Sequence, residues 1–332
     1  MRRLWLFSTF GILFQFVSGL AGVEIRPDDP LWVDDDRVPI EQPNPIQLSE
    51  LADILRNTFL NRPEGKIAPA ENVNTVGGVP DSSWFTNRLG RREMSIEEVV
   101  RGSNLSGPPD PDAAWEVVGV KTEGLTPGLT IRDASGTRFL IKFDPYRYPQ
   151  LNTSAEVIVT KFFHALGYNV PENYLVVLDP SNLTISSEAV IEEHDELRPL
   201  TERDLQYLID RVPRCADGTI RVVASRFIEG GLLGPFRYHG TRSDDANDIF
   251  SHENRRELRG MRLFAAWLNH DDSRSINTLD SFVEGEGGDG KGFVRHYLID
   301  FGSTLGSGTI FPQDPRAGNE YIFEKGPALK AA

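Results

Sequence analysis

The chain has 332 residues but only one cysteine, Cys215, so no intrachain disulfide can form and noncovalent packing must hold the fold. Positive charge is also scarce. Lys and Arg number 35 against 49 Asp and Glu, a net charge of -14, and no basic run reverses the balance, which argues against general nucleic-acid binding. The six histidines form no His/Cys cluster, and no Ser or Cys stands on a recognisable nucleophile turn. A hydrolase using His270 with Asp271 or Asp272 therefore ranks low. The glycine-rich stretch 285–292 lacks both a Gly-Lys-Ser/Thr ending and spaced carboxylates, so it reads as a connector, not a phosphate or calcium loop. No internal repeat is evident. What is present in quantity is apolar sequence, 39% of the chain, enough for the core of one large or two ordinary domains.

The N-terminus sets Arg2 and Arg3 before an apolar stretch over residues 4–20, then Gly19-Leu20-Ala21 before Gly22. That order is expected of a signal peptide over residues 1–21, which places the rest in the periplasm or outside the cell. An uncleaved anchor is the alternative, and only then is a membrane a partner; the short stretch and Ser8, Thr9, Gln15 and Ser18 count against it. Residues 22–110 are rich in Pro, Asp, Asn and Gly and read as an irregular extension wrapped on a domain, with one helical patch at 48–60 capped by Ser49. Within it, Asp34-Asp35-Asp36 reads as a solvated turn, and Pro80-Asp81-Ser82-Ser83-Trp84-Phe85 as a segment that docks the extension. From residue 115 the texture becomes strand-like. Runs at 115–121, 129–133 and 137–143, separated by turn residues, predict an antiparallel meander. A helix is expected over 154–166, closing at Gly167, with strands at 170–178 and 221–227 and a second helix over 253–268. His164 reads as a packed core histidine and Cys215 as a free thiol in a polar loop.

The strongest chemical signal is Asn269-His270-Asp271-Asp272-Ser273-Arg274-Ser275-Ile276-Asn277, followed after a hairpin by Tyr297-Leu298-Ile299-Asp300-Phe301-Gly302. Phosphoryl transfer needs a carboxylate to orient the attacking hydroxyl, a cation near the transferring group, and oxygen ligands for magnesium. Asp272 suits the first role, Arg274 the second, and Asn277 with Asp300 the third. Residues 277–283 and 293–299 form two apolar runs that a hairpin would lay together, bringing Asn277 and Asp300 side by side.

These segments resemble the catalytic and D-F-G loops of the protein-kinase-like superfamily, with His270 and Asp272 at the ends of its H-R-D triplet. Arg138-Phe139-Leu140-Ile141-Lys142 resembles the strand bearing the phosphate-binding lysine, and Glu156 the helix glutamate that pairs with it. Arg226-Phe227-Ile228-Glu229-Gly230-Gly231 resembles the hinge beside the adenine pocket. The atypical branches, HipA-like and lipid-kinase-like, are the most similar, because residues 155–171 run from a Glu-bearing helix into Leu-Gly-Tyr and Val-Pro. Residues 123–128 stand where the nucleotide-covering loop would be, with two glycines but without the G-x-G-x-x-G spacing.

The resemblance covers about residues 115–305. It implies an α+β, bilobal fold: an N-lobe and hinge at 111–230 with a small antiparallel sheet, and a mainly helical C-lobe at 231–332. It further implies an atypical kinase that uses Mg2+ and ATP or another nucleoside triphosphate. Lys142, Glu156 and Glu229 would serve the nucleotide, Asn277 and Asp300 the metal, and Asp272 and Arg274 catalysis on a hydroxyl of a protein, lipid or sugar. Few residues with little apolar periodicity follow Asp300, so an incomplete C-lobe is expected. An exported chain would meet little ATP in a periplasm, which keeps a noncatalytic pseudokinase or cell-envelope binding module as the alternative.

Overall fold

The computed structural model describes residues 34–59, 68–74, 76–121, 128–193, 196–308 and 310–313. The expected signal peptide and most of the 123–128 loop lie outside them. In chain order the elements are α1 (Glu50–Phe59), α2 (Ile96–Arg101), β1 (Trp115–Lys121), β2 (Gly128–Arg132), β3 (Arg138–Lys142), α3 (Leu151–Leu166), β4 (Asn173–Leu178), β5 (Leu183–Glu193), β6 (Glu196–Pro199), α4 (Glu202–Ile209), β7 (Ile220–Arg226), β8 (Gly231–Gly234), α5 (Arg256–Trp267), β9 (Thr278–Glu284), β10 (Gly292–Leu298), β11 (Ser307–Gly308) and β12 (Phe311–Pro312). No helix among the described residues is long and apolar enough to cross a membrane.

The fold is mixed α/β. Seven strands form one sheet in the order β4-β7-β3-β2-β1-β5-β6, and β10-β9-β8 form a second of three. The expected meander is present as β1, β2 and β3. The large sheet is not purely antiparallel, however, because β1 pairs with β5 in parallel. The part after residue 231 is not mainly helical either: among the described residues it holds one long helix, α5, and the β8–β10 sheet. That expectation came from family likeness, whereas the residues of 278–298 themselves carry strand alternation.

Local chemistry explains the key elements. The turn between β2 and β3 is tied by Asp133, whose Oδ1 accepts from the amides of Ser135 (2.9 Å) and Thr137 (2.8 Å), while Gly136 takes φ 85°. Helix α3 starts without a cap of its own, because Gln150 sits at φ 70°. The buried Asp144 supplies one instead, accepting from the Gln150 amide (2.8 Å), the Thr153 amide (2.9 Å) and Thr153 Oγ1 (2.7 Å). At its other end Gly167, φ 117°, closes the helix, and the Tyr168 amide returns to the Phe163 carbonyl. One core lies under the large sheet, where Trp115, Ile131, Phe139 and Ile141 meet Leu205, Leu208 and Ile209 of α4. A second joins α3 to α5 through Val159, Phe163, Leu258 and Met261, and includes Trp84 and Phe301.

The described residues between 34 and 110 form a clasp. Trp84 docks as expected, stacked on His296 at 3.5 Å, with the buried Arg255 guanidinium 4.6 Å from its ring. The Asp34-Asp35-Asp36 run is not a solvated turn. Asp36 is buried and accepts from the Ser83 amide (2.8 Å) and Ser83 Oγ (2.6 Å); Asp34 is buried 3.4 Å from Arg255. A charge run looks solvated when its partners lie far away in sequence, and here they do. A short helix, α2, also escaped the sequence reading, although Ser95 and Glu98 form a capping box at its start.

Candidate active site

Strand β3 buries Phe139 and Ile141 on one face, and the alternation turns Leu140 and Lys142 to the other. There, Lys142 and Leu140 line a cavity of about 150 Å³ with Pro171, Phe227, Leu279 and Asp300. Glu156 rides the buried face of α3 with Val159, Thr160 and Phe163. Lys142 Nζ stands 3.0 Å from Glu156 Oε1 and 3.0 Å from Asp300 Oδ1. Burial opposes the lysine's charge, but the two carboxylates outweigh it and hold the ammonium above the usual lysine range. Burial in turn pushes Glu156 up, against the pull of Lys142. Glu156 Oε1 also accepts from Asn173 Nδ2 (3.0 Å), and its Oε2 is buried with no hydrogen-bond partner. A Cβ at Gly302 would come within 3.5 Å of that oxygen, so glycine keeps the space beside the carboxylates clear.

Asp300 follows β10 with a left-handed backbone, φ 61°, which is uncommon for a residue other than glycine. The next residue holds it in place: Phe301 is fully buried, stacked on Phe163 at 5.1 Å and 5.6 Å from His270. His270 is itself anchored by its amide to the Ala265 carbonyl (2.8 Å). Burial lowers its pKa to about 4, so it is a neutral packing residue and not an acid–base group at neutral pH.

The loop between His270 and β9 presents the remaining polar groups. Arg274 Nε donates to Asp272 Oδ1 at 2.6 Å. Burial raises the Asp272 carboxyl, Arg274 opposes, and the charge of Asp300 adds to the rise. Asn277 Nδ2 donates to the Asp272 carbonyl at 2.8 Å, which uses the amide nitrogen and leaves the amide oxygen as its metal-type donor. The Ile299 amide meets the Asn277 carbonyl at 3.0 Å, and Thr278 pairs with Leu298. The expected hairpin is therefore formed, and it sets Asn277 and Asp300 at the same end. Among the described residues no group of three or more His, Cys, Asp or Glu could enclose a metal. A magnesium ion here would have Asp300 and Asn277 as hard oxygen donors, with phosphate and water completing the set, as is usual for that ion; the residues fit it on those terms.

Lys142, Glu156 and Asp300 are thus brought together, with Asp272, Arg274 and Asn277 on the adjoining loop. Glu229 is not brought to them. Its side chain is 85% exposed and paired with Arg226 at 3.1 Å, and its carbonyl is taken by Ser281 Oγ at 2.6 Å. His164 is half-buried at the wall of a larger cavity instead of in the core. Asn173, which steadies Glu156, escaped sequence reading; a polar residue opening an apolar strand was its one signal. No protein-family model, curated protein or solved structure matches the chain.

Proposed function

We propose that the chain is a magnesium-dependent phosphotransferase of protein-kinase-like, bilobal architecture, moving the terminal phosphate of ATP or another nucleoside triphosphate to a hydroxyl acceptor. The observation that carries this is Lys142 Nζ held 3.0 Å from both Glu156 and Asp300 at the floor of a cleft. A lysine clamped between a helix carboxylate and a loop carboxylate is oriented and kept charged, as a phosphate-binding cation must be. Asp272 takes the proton of the acceptor hydroxyl as that oxygen displaces the nucleoside diphosphate from the terminal phosphoryl group. Arg274 steadies the Asp272 carboxylate and adds positive charge beside the transferring group. Magnesium, when bound at Asp300 and Asn277, neutralises phosphate charge. The acceptor is a protein, lipid or sugar hydroxyl. Residues 1–21 support export of the chain; an unprocessed, cytoplasmic product on fractionation of the tagged full chain would overturn that.

The decisive assay is phosphate transfer by the full chain with Mg-ATP or Mg-GTP. Activity that disappears in Asp300→Ala supports the reading, and equal activity in wild type and variant refutes it. A noncatalytic, pseudokinase-like binding module is the second reading. The cavity beside Lys142 favours it, because about 150 Å³ is small against the roughly 300–1,000 Å³ of ligand pockets. Thermal stabilisation by nucleotide that requires magnesium favours the phosphotransferase over the module.

A further inference from the structure

A second, rear cavity of about 550 Å³ shares Pro171 and residues 226–228 with the first but is not lined by Lys142. Both cavities stand on the β9–β10 hairpin. Residues opposite one another across an antiparallel ladder share a face, so Leu279 with Tyr297, Ser281 with Arg295, and Val283 with Phe293 make three rows of one floor. Leu279 reaches the front cavity, whereas Val283, Arg295 and Tyr297 line the rear one. The segment 226–230 divides them, fastened by Ser281 to the Glu229 carbonyl. It lies so close to the sheet that a Cβ at Gly230 would stand 2.2 Å from the Phe282 carbonyl oxygen.

Three guanidinium groups line the rear cavity, and two are spent. Arg226 pairs with Glu229, and Arg88 donates to the carbonyls of His164 (2.9 Å) and Tyr168 (3.3 Å). Arg295 is half-buried over the Phe293 ring at 5.5 Å, and among the described residues no carboxylate or carbonyl pairs with it. The Tyr297 hydroxyl beside it has no hydrogen-bond partner there either. The acids of the wall do not neutralise this pair. Glu172 is used by the Ser106 amide (3.1 Å) and the Tyr174 hydroxyl (2.5 Å), Glu229 by Arg226, and Glu284 is exposed at the rim. The neighbouring His164 is held neutral, its pKa lowered to about 4 by burial and then by Arg88, Lys161, Arg101 and Arg92, which marks this wall as positive on an otherwise acidic protein.

We propose that the rear cavity binds a small organic anion with a flat apolar body, an aryl phosphate or aryl carboxylate. The anionic head sits on Arg295 and Tyr297, and the ring rests against Val170, Phe227 and Ile228. Guanidinium forks match such heads in two-point geometry, and the volume lies within the usual range for ligand pockets.

The test is calorimetric titration of the full chain with phenyl phosphate, benzoate and inorganic phosphate. Phenyl phosphate or benzoate binds one to one, and the tighter of the two identifies the head group. Inorganic phosphate, lacking the ring, binds more weakly. Arg295→Gln weakens the aryl anion at least about tenfold. Tyr297→Phe, which keeps the ring and the packing, weakens it severalfold and decides the matter if Arg295→Gln melts early. The Lys142→Met/Glu156→Gln double variant, altered at residues that do not line the rear cavity, binds it as wild type does. No binding of either aryl anion, or loss in the double variant with retention in Arg295→Gln and Tyr297→Phe, overturns the proposal. These readouts need no phosphate transfer, so the result stands apart from that activity.

Discussion

Lys142→Met removes the cation that Glu156 and Asp300 share and leaves two carboxylates facing one another, one of them almost wholly buried. Deleting one partner of a buried ion pair costs about 3–5 kcal/mol. Asp300 is 34% exposed and gains hydration, and Glu156 takes up a proton, so the lower end, about 3 kcal/mol, is expected. Adding Glu156→Gln to that variant should return about 2 kcal/mol. The neutral amide keeps an oxygen for Asn173 Nδ2 and replaces the unpartnered Oε2 with a donor on the side of Asp300. Urea unfolding at constant m-value measures both steps. The pH dependence has a definite sign. In Lys142→Met the folded state holds a proton on Glu156 that the unfolded chain has released above its ordinary carboxyl range. Stability of the single variant relative to the double therefore rises as pH falls toward the ordinary carboxyl range, the histidines contributing equally to both. Under the proposed function, phosphate transfer is expected to be lost in both, which separates the site's chemistry from its stability. A double variant no more stable than the single would refute the claim that Lys142 balances a buried Glu156.

Asp36→Ala strips the acceptor from the buried Ser83 amide and hydroxyl and should cost about 2–4 kcal/mol in urea melts, with a change under 0.5 kcal/mol counting against the clasp. Acid should unfold the protein in part through His270: its folded pKa of about 4 lies below the ordinary value near 6.5, so stability is complete above that value and falls as pH drops from 6.5 to 4, by roughly 3 kcal/mol. Half-buried His164 acts in the same direction. His270→Phe should flatten that limb of the profile, and an unchanged slope would exclude the assignment. Gly230→Ala should lower the melting temperature and disturb both cavities at once, since its methyl would overlap the Phe282 carbonyl; a variant with wild-type melting would show that the segment can lift.

What the sequence disclosed was local. Alternation between turn residues marked β1 to β3 and the β9–β10 hairpin, and Gly167 marked the end of α3, because each depends on neighbours a few residues away. The grouping of Lys142, Glu156 and Asp300 was anticipated from motif likeness, but their distances and the role of Asn173 needed the sheet to be assembled. Burial of Asp34 and Asp36 was hidden, since a carboxylate's fate is decided by Arg255 and Ser83, not by its own run. The rear cavity was hidden for the same reason: its walls come from stretches far apart in the chain, from Arg88 to Tyr297. The mainly helical second half failed because no periodicity supported it.

The clasp also sets a timetable. Asp34 and Arg255 are 221 residues apart, and Trp84 must await His296. At roughly 5–20 residues per second of synthesis, Asp34 waits on the order of 10–40 s before its partner exists. Until then Asp34 lacks its cation and Trp84 the groups it stacks on, although Asp36 already has Ser83, so the N-terminal third cannot finish packing before residue 296 exists.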